Sequence, residues 1–378
     1  LIVFSNSVDN DILFGWDDGE YITNEDLMKF DLNHFFSTYY LGMYQPLALV
    51  SLSLNYQFSE MNPAAYHGTN LLMHLINVVL VFLMFSMMVK RLEITFVVTI
   101  LFAIHPMHVE SISWIAARSS VLYSVFFLAA VIFYLRFLDQ KGKNNLIYSI
   151  IFFLLSCFSK SMAITLPVIL FLIDYFKSRK ITQKVILEKI PFILISIVFG
   201  ITSINAASEY GHISNLDINY NFFDRIVLLL YSIVFYVVKA VAPVNLSVIY
   251  AYPDKVNGWL PLEYYFSILV FAFLIFNILK SGKLKKEVYF GMLFFVFSVS
   301  IVLPLFWSRM LMLADRYTYI PYLGIFYILA QFYIKIADNK NQVFKRYKAV
   351  ALLVLIGWIV FLSATSYQRN KQWKDSIT

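Results

Sequence analysis

Ten long apolar runs leave this chain little choice of fold. They lie at 66–89, 94–106, 116–135, 146–159, 161–176, 187–207, 261–279, 287–306, 317–336 and 347–367. A helix needs about 20 apolar residues to cross a bilayer, and several of these runs reach that length. With 37 Phe and 26 Tyr among 378 residues, and only 14% charged residues, a soluble fold could not bury so much apolar surface. The runs are solid rather than alternating, which excludes a transmembrane β-barrel. The sequence therefore predicts an all-α polytopic membrane protein, a helical bundle of about 11–12 spans with a long first extracytoplasmic loop. Within it, 146–176 reads as a pair bent around Ser159-Lys160-Ser161. The segment 225–242 reads as re-entrant, or as joined by a second short element at 243–252.

Basic residues orient the bundle. Lys90 and Arg91, Arg136 to Lys143, Lys177 to Lys189, Lys280 to Lys286 and Lys335 to Lys348 together hold 19 of the 30 Lys and Arg. Such loops stay in the cytoplasm. The opposite side then carries Asp17-Asp18, His105–Arg118, Lys160, 208–224, Arg309–Arg316 and the C-terminal tail. The net charge of +7 is accounted for by these loops and carries no nucleic-acid signature. One cysteine, Cys157, excludes a disulfide framework. Leu1-Ile2-Val3-Phe4 reads as the tail of a first span, and no cleavable signal peptide is visible. Pro46 opens a stretch through Leu54 suited to an interfacial helix. The wealth of Ile, Lys and Asn points to an AT-rich prokaryotic genome and so to a bacterial inner membrane.

Ionisable residues are costly at a membrane boundary, so those present are functional candidates. Asp17 and Asp18, between Trp16 and Gly19, are paired carboxylates suited to general-base or metal chemistry, although Asp-Gly also favours a plain turn. His105, His108 and Glu110 sit within six residues at a helix end. They could ligate a divalent metal, grip a phosphate or form a hydrogen-bonded belt. Arg118, Lys160 and Arg316, with Arg309 as a weaker fourth, suit an anionic lipid headgroup, because guanidinium forks match phosphate. Asp315 is expected to pair with or hold Arg316. His67, Asn70, His74 and Asn77 share one helix face and read as interhelical hydrogen bonds, and Asp174 reads as structural.

Taken together, several motifs resemble those of a known family. They are Trp16-Asp17-Asp18 with Tyr21 and Asn24, Tyr44-Gln45-Pro46-Leu47, and Asn62-Pro63-Ala64-Ala65-Tyr66-His67 with Asn70 to His74. His105-Pro106-Met107-His108-Val109-Glu110-Ser111, Ser159-Lys160-Ser161-Met162-Ala163 and Ala314-Asp315-Arg316-Tyr317 complete the set. Their combination is similar to the membrane domain of the transmembrane-and-tetratricopeptide-repeat glycosyltransferases, relatives of the protein O-mannosyltransferases. Ser161 departs from the pattern, which has Pro after the Lys.

The resemblance implies a GT-C architecture over 1–367, with 6–65 as the acidic loop. It also implies the start of an extracytoplasmic tetratricopeptide-repeat region at 368–378. It implies an enzyme moving a sugar, with mannose as a candidate, from a polyprenyl-phosphate donor to an extracytoplasmic acceptor such as a protein Ser/Thr hydroxyl. In that scheme Asp17 or Asp18 is the base, Asp18 first for its freer access beside Gly19. Arg118, Lys160 and Arg316 bind the donor phosphate, while His105, His108 and Glu110 line the pocket or hold a metal. A lipid or glycan transporter or flippase, and a non-catalytic anchor for a repeat domain, are the alternatives.

Overall fold

A computed structural model describes residues 2–211, 220–280, 282, 285–305, 311–337 and 342–375, with the backbone alone of 342–347. The described residues are predominantly helical and contain no β-strand. The first loop folds into α1 (Asp17–Ile22), α2 (Glu25–Lys29), α3 (Leu32–Ser37) and α4 (Pro46–Ser59). In α4, Pro46 occupies the first turn, where its missing N–H costs nothing. α5 (Pro63–Met88) starts on Asn62, whose side chain accepts from Ala64 N. α6 (Leu92–Ile104) meets α7 (Val109–Ser113) across extended His105, and the axis bends there by 53°. Extended backbone is what Pro106 imposes on the residue before it.

α8 (Arg118–Leu138) and α9 (Asn144–Ser159) pack as a hairpin. Lys160 is extended, and a 3-10 turn over Ser161–Thr165 leads into α10 (Leu166–Phe176), so the expected break forms without a proline after the lysine. Then follow α11 (Gln183–Glu209), α12 (Phe222–Val241), α13 (Leu262–Leu279), α14 (Lys285–Val299), α15 (Tyr322–Ala337) and α16 (Gln342–Lys371).

Every apolar run of the sequence falls on a helix. Among the described residues, five helices, α5, α8, α11, α13 and 348–371 of α16, are long and apolar enough to cross a bilayer, or six if the bent pair at His105 is one span. The expected count of 11–12 thus resolves into five or six full-length helices and several shorter apolar ones. Three details differ from expectation. Ile2–Asp9 is a 3-10 helix against α5 and α16 rather than α-helical. α12 is one continuous helix of 20 residues, and no second helix follows it over 243–252, because Pro243 removes a donor and Ala242 leaves the helical region before it. α16 runs unbroken past 367, through the boundary expected at 368.

α8 is the innermost long helix, with 67% of its apolar window buried, whereas α13 is buried only at Ser267. α14 and α15 touch backbone to backbone, since a Cβ on Gly291 would lie 2.5 Å from Gly324 O. Small residues allow such close approach between membrane helices.

One buried side chain ties the centre to the first loop. Arg118, fully buried, donates Nε to Asn70 Oδ1 at 2.7 Å and NH2 to Tyr66 O at 2.8 Å. Its NH1 donates to Ser51 O, Ser51 Oγ and Asn55 Oδ1. Asn70 in turn donates to Ile112 O and Trp114 O. The remaining polar residues of that α5 stripe also bond between helices. His74 pairs with Tyr319 OH at 2.7 Å, Asn77 donates to Val121 O, and His67 meets Asp11 O. At the opposite end, buried Asp174 accepts from Tyr134 OH and from Lys189, which confirms its structural character.

Replacing Arg118 leaves several buried acceptors unpaired, at about 1–3 kcal/mol each. Arg118→Lys is expected to lower stability by roughly 2–4 kcal/mol, read from reversible unfolding in detergent. A change below about 1 kcal/mol would refute the role of the fork.

Candidate active site

The two adjacent acids of the first loop have opposite environments. Asp17 and Asp18 open α1, rather than the plain turn that Asp-Gly suggests. Asp17 is exposed, whereas Asp18 is fully buried. The Asp18 carboxylate accepts from Ala116 N at 2.7 Å through Oδ1 and from Leu13 N at 3.3 Å through Oδ2. Asp18 therefore clamps the first loop to the segment between α7 and α8. The expected freer access of Asp18 is reversed, because the helical turn directs Asp18 inward and Asp17 outward. Gly19 permits this turn: a Cβ there would lie 2.8 Å from Phe14 O.

Beside Asp17 stands an ion pair that the sequence did not pair correctly. Arg316 NH1 bonds Glu110 Oε1, and Arg316 N donates to Glu110 Oε2 at 2.8 Å. The guanidinium lies over the Trp114 ring, 5.2 Å from its centroid, and is within electrostatic reach of Asp17. Its Nε and NH2 make no hydrogen bond among the described residues. Trp114 also packs edge-on to Trp16 at 6.3 Å and against Trp373 at 5.7 Å. Two buried donors here, Trp114 Nε1 and Asn370 Nδ2, have no partner among the described residues.

Asp315 does not pair with Arg316. Its Oδ2 accepts from Arg369 NH2 at 2.7 Å and its Oδ1 from Tyr250 OH at 2.9 Å. Arg369 also donates to Leu246 O and Ser247 O. Sequence reasoning missed Arg369, Asn370 and Trp373 because they lie in the polar tail assigned to a following region. Their signal was an aromatic and a cation directly after an apolar span. Instead of leaving the bundle, Trp373 is buried, Ser113 bonds Asn370, and Lys374 O accepts from Asp11 N at 2.8 Å.

The three expected phosphate cations do not share one site. Arg118 is engaged by α4 and α5, as described above. Lys160, mostly buried, donates to Ser120 Oγ at 2.6 Å, on the first turn of α8. Arg316 alone accompanies Asp17. Arg309 lies outside the described residues.

His105 and His108 also part from Glu110. His105 meets Ala240 O through Nε2 and His108 meets Phe102 O through Nδ1. Both rings pack among Tyr322 and Phe326. The described residues contain no group of three or more His, Cys, Asp or Glu placed to hold a metal. With one nitrogen of each imidazole held by a carbonyl and Glu110 committed to Arg316, these side chains do not form a metal-binding set.

Burial pushes the Asp18 carboxyl up to about 7, although the Ala116 and Leu13 amides oppose the rise. The folded chain thus holds this proton more tightly than the unfolded one, whose carboxyl titrates near 3.8. The contribution to stability is greatest below that value and is lost progressively as pH rises to about 7. Asp18→Asn removes the titration, so its melting temperature should fall less than that of the wild type between about pH 4 and 7. Parallel curves for the two proteins would contradict this.

No protein-family model matches the chain. The protein O-mannosyl-transferase F38B6.6 of Caenorhabditis elegans is 24% identical over all of this chain and 55% of its own length. Human TMTC3, also named a protein O-mannosyl-transferase, is 35% identical over 27% of this chain and 11% of its own length. Mouse TMTC1, of the same name, is 38% identical over 26% and 10%. The chain spans about half the length of the worm relative, and its matches to the mammalian ones cover about a tenth of theirs. Together with its apolar helices, these matches make the chain an integral membrane protein whose curated homologues are TMTC-type protein O-mannosyl-transferases, the family its motifs resemble.

Proposed function

We propose that this chain is the membrane part of a glycosyltransferase of GT-C type. It moves a sugar, mannose by the names of its relatives, from a polyprenyl-phosphate donor to a protein Ser or Thr hydroxyl. The reaction takes place on the extracytoplasmic side of what we read as a bacterial inner membrane. The observation that carries this reading is an exposed carboxylate, Asp17, next to a cation, Arg316, whose Nε–NH2 edge is uncommitted.

Inverting transfer needs a base on one face of the sugar and charge stabilisation on the other. Asp17 takes the proton of the acceptor hydroxyl as that oxygen forms its bond to the anomeric carbon. The bond from that carbon to the phosphate oxygen breaks, and its electron pair leaves with the polyprenyl phosphate. Arg316 receives the departing charge through Nε and NH2, while Glu110 and the Trp114 ring hold the guanidinium in place. The unpartnered donors of Trp114 and Asn370 support a polar ligand at this spot. Asp18 is a positioning residue that fixes the turn bearing Asp17. No step is assigned to a metal.

A positioned general base contributes about 10²–10⁴-fold. Asp17→Asn is expected to reduce transfer from a labelled lipid-linked sugar in proteoliposomes by that factor, with melting temperature and donor binding unchanged. Asp18→Asn should lose less activity and alter the stability profile instead. Full activity in Asp17→Asn would remove Asp17 from the chemistry.

A further inference from the structure

At the end of the bundle opposite Asp17, a cavity of about 710 Å³ opens between the α8–α9 loop and the start of α11. α8 separates the two ends: Arg118 begins it and Leu138 lines the cavity, roughly 30 Å away at 1.5 Å per residue. Lys143, Lys177, Arg179 and Lys184 line this cavity with Asp139 and Glu188. The acids are already engaged. Glu188 holds Arg179 through two bonds of 2.7 and 2.9 Å, and Asp139 sits 3.7 Å from Lys141. Lys177 donates to Met87 O. Lys143 and Lys184 are exposed and make no ion pair among the described residues.

Both of those lysines stand at the head of an apolar stripe that faces outward. From Lys143, exposed Ile147 and Ile151 follow at successive turns of α9. From Lys184, exposed Leu187, Ile190, Leu194 and Ile197 follow along α11. A headgroup cavity with two uncommitted ammonium groups therefore opens onto two surfaces suited to acyl chains.

We propose that this cavity binds the phosphate headgroup of an anionic membrane lipid on the cytoplasmic side, away from the Asp17 site. Lys143 and Lys184 contact the phosphate oxygens, and the acyl chains lie along the outward stripes of α9 and α11. Basic pockets between membrane helices on the cytoplasmic side take such headgroups, and 710 Å³ falls in the range of ordinary ligand sites. Arg179 forms the floor. It is fixed by Glu188 and by the Asp174–Tyr134 pair beneath it, so the cavity is built before a ligand arrives.

The test uses the full chain in nanodiscs of phosphatidylcholine, with and without phosphatidylglycerol. Retention of phosphatidylglycerol is read by native mass spectrometry after release. Each near-surface lysine contributes about fivefold to such binding, so Lys143→Ala/Lys184→Ala should reduce retention by roughly 25-fold. Lys90→Ala/Lys335→Ala removes two exposed lysines of the same charged side outside the cavity, and should retain the lipid as wild type does. Equal loss in the two double variants, or no loss in the first, would overturn the proposal. So would stabilisation of the wild type by inorganic phosphate in pure phosphatidylcholine with no response to phosphatidylglycerol, which would assign the cavity to a soluble anion.

Discussion

The buried fork of Arg118 is the joint on which the candidate active site hangs. It ties three elements together through neutral acceptors, its own helix α8 to α4 through Ser51 and Asn55 and to α5 through Asn70 and Tyr66. Asn70 passes the constraint on by holding the carbonyls of Ile112 and Trp114. That fixes the short stretch whose Ala116 amide anchors Asp18. A charged group this deep is costly unless it is well hydrogen-bonded, and here all three guanidinium nitrogens donate, which turns the cost into rigidity. The exposed acid, the cation over Trp114 and the first loop thus inherit their placement from one side chain that itself faces no substrate.

A second set of contacts closes the site from the far end of the chain. Glu110 takes Arg316 and Asp315 takes Arg369, so neighbouring residues of one motif bind partners on different elements. This arrangement knits α7, the turn before α15 and the end of α16 together. The pairing follows from the 3-10 turn at Asp315–Thr318, which points consecutive side chains in different directions.

The apolar periodicity made the helices legible, because membrane helices must be solidly apolar and nothing else competes for that pattern. The break at Lys160 and the interfacial helix at Pro46 were equally visible, since Pro and charge punctuate an apolar run. The polar stripe of α5 was assigned its structural role from spacing alone. Pairing was not legible. Adjacent acids look alike in a sequence, and only a clamp reaching from Asp18 to Ala116, far along the chain, separates them. For the same reason Arg118 read as a phosphate ligand: a buried guanidinium satisfied by carbonyls and amides carries no signature distinct from one awaiting an anion. The histidines misled similarly, because their partners are backbone carbonyls, which every residue possesses.

The stacking of Trp16, Trp114 and Trp373 has an optical consequence. Of the six tryptophans in the chain, three lie in contact at the candidate site, and one of these carries a guanidinium on its face. Indole emission responds to nearby charge and to ring contact, so the site contains its own fluorescent reporter. A ligand that draws Arg316 off Trp114, or parts Trp373 from it, changes the emission of the untouched protein. Occupancy of the site can then be followed in real time without a label.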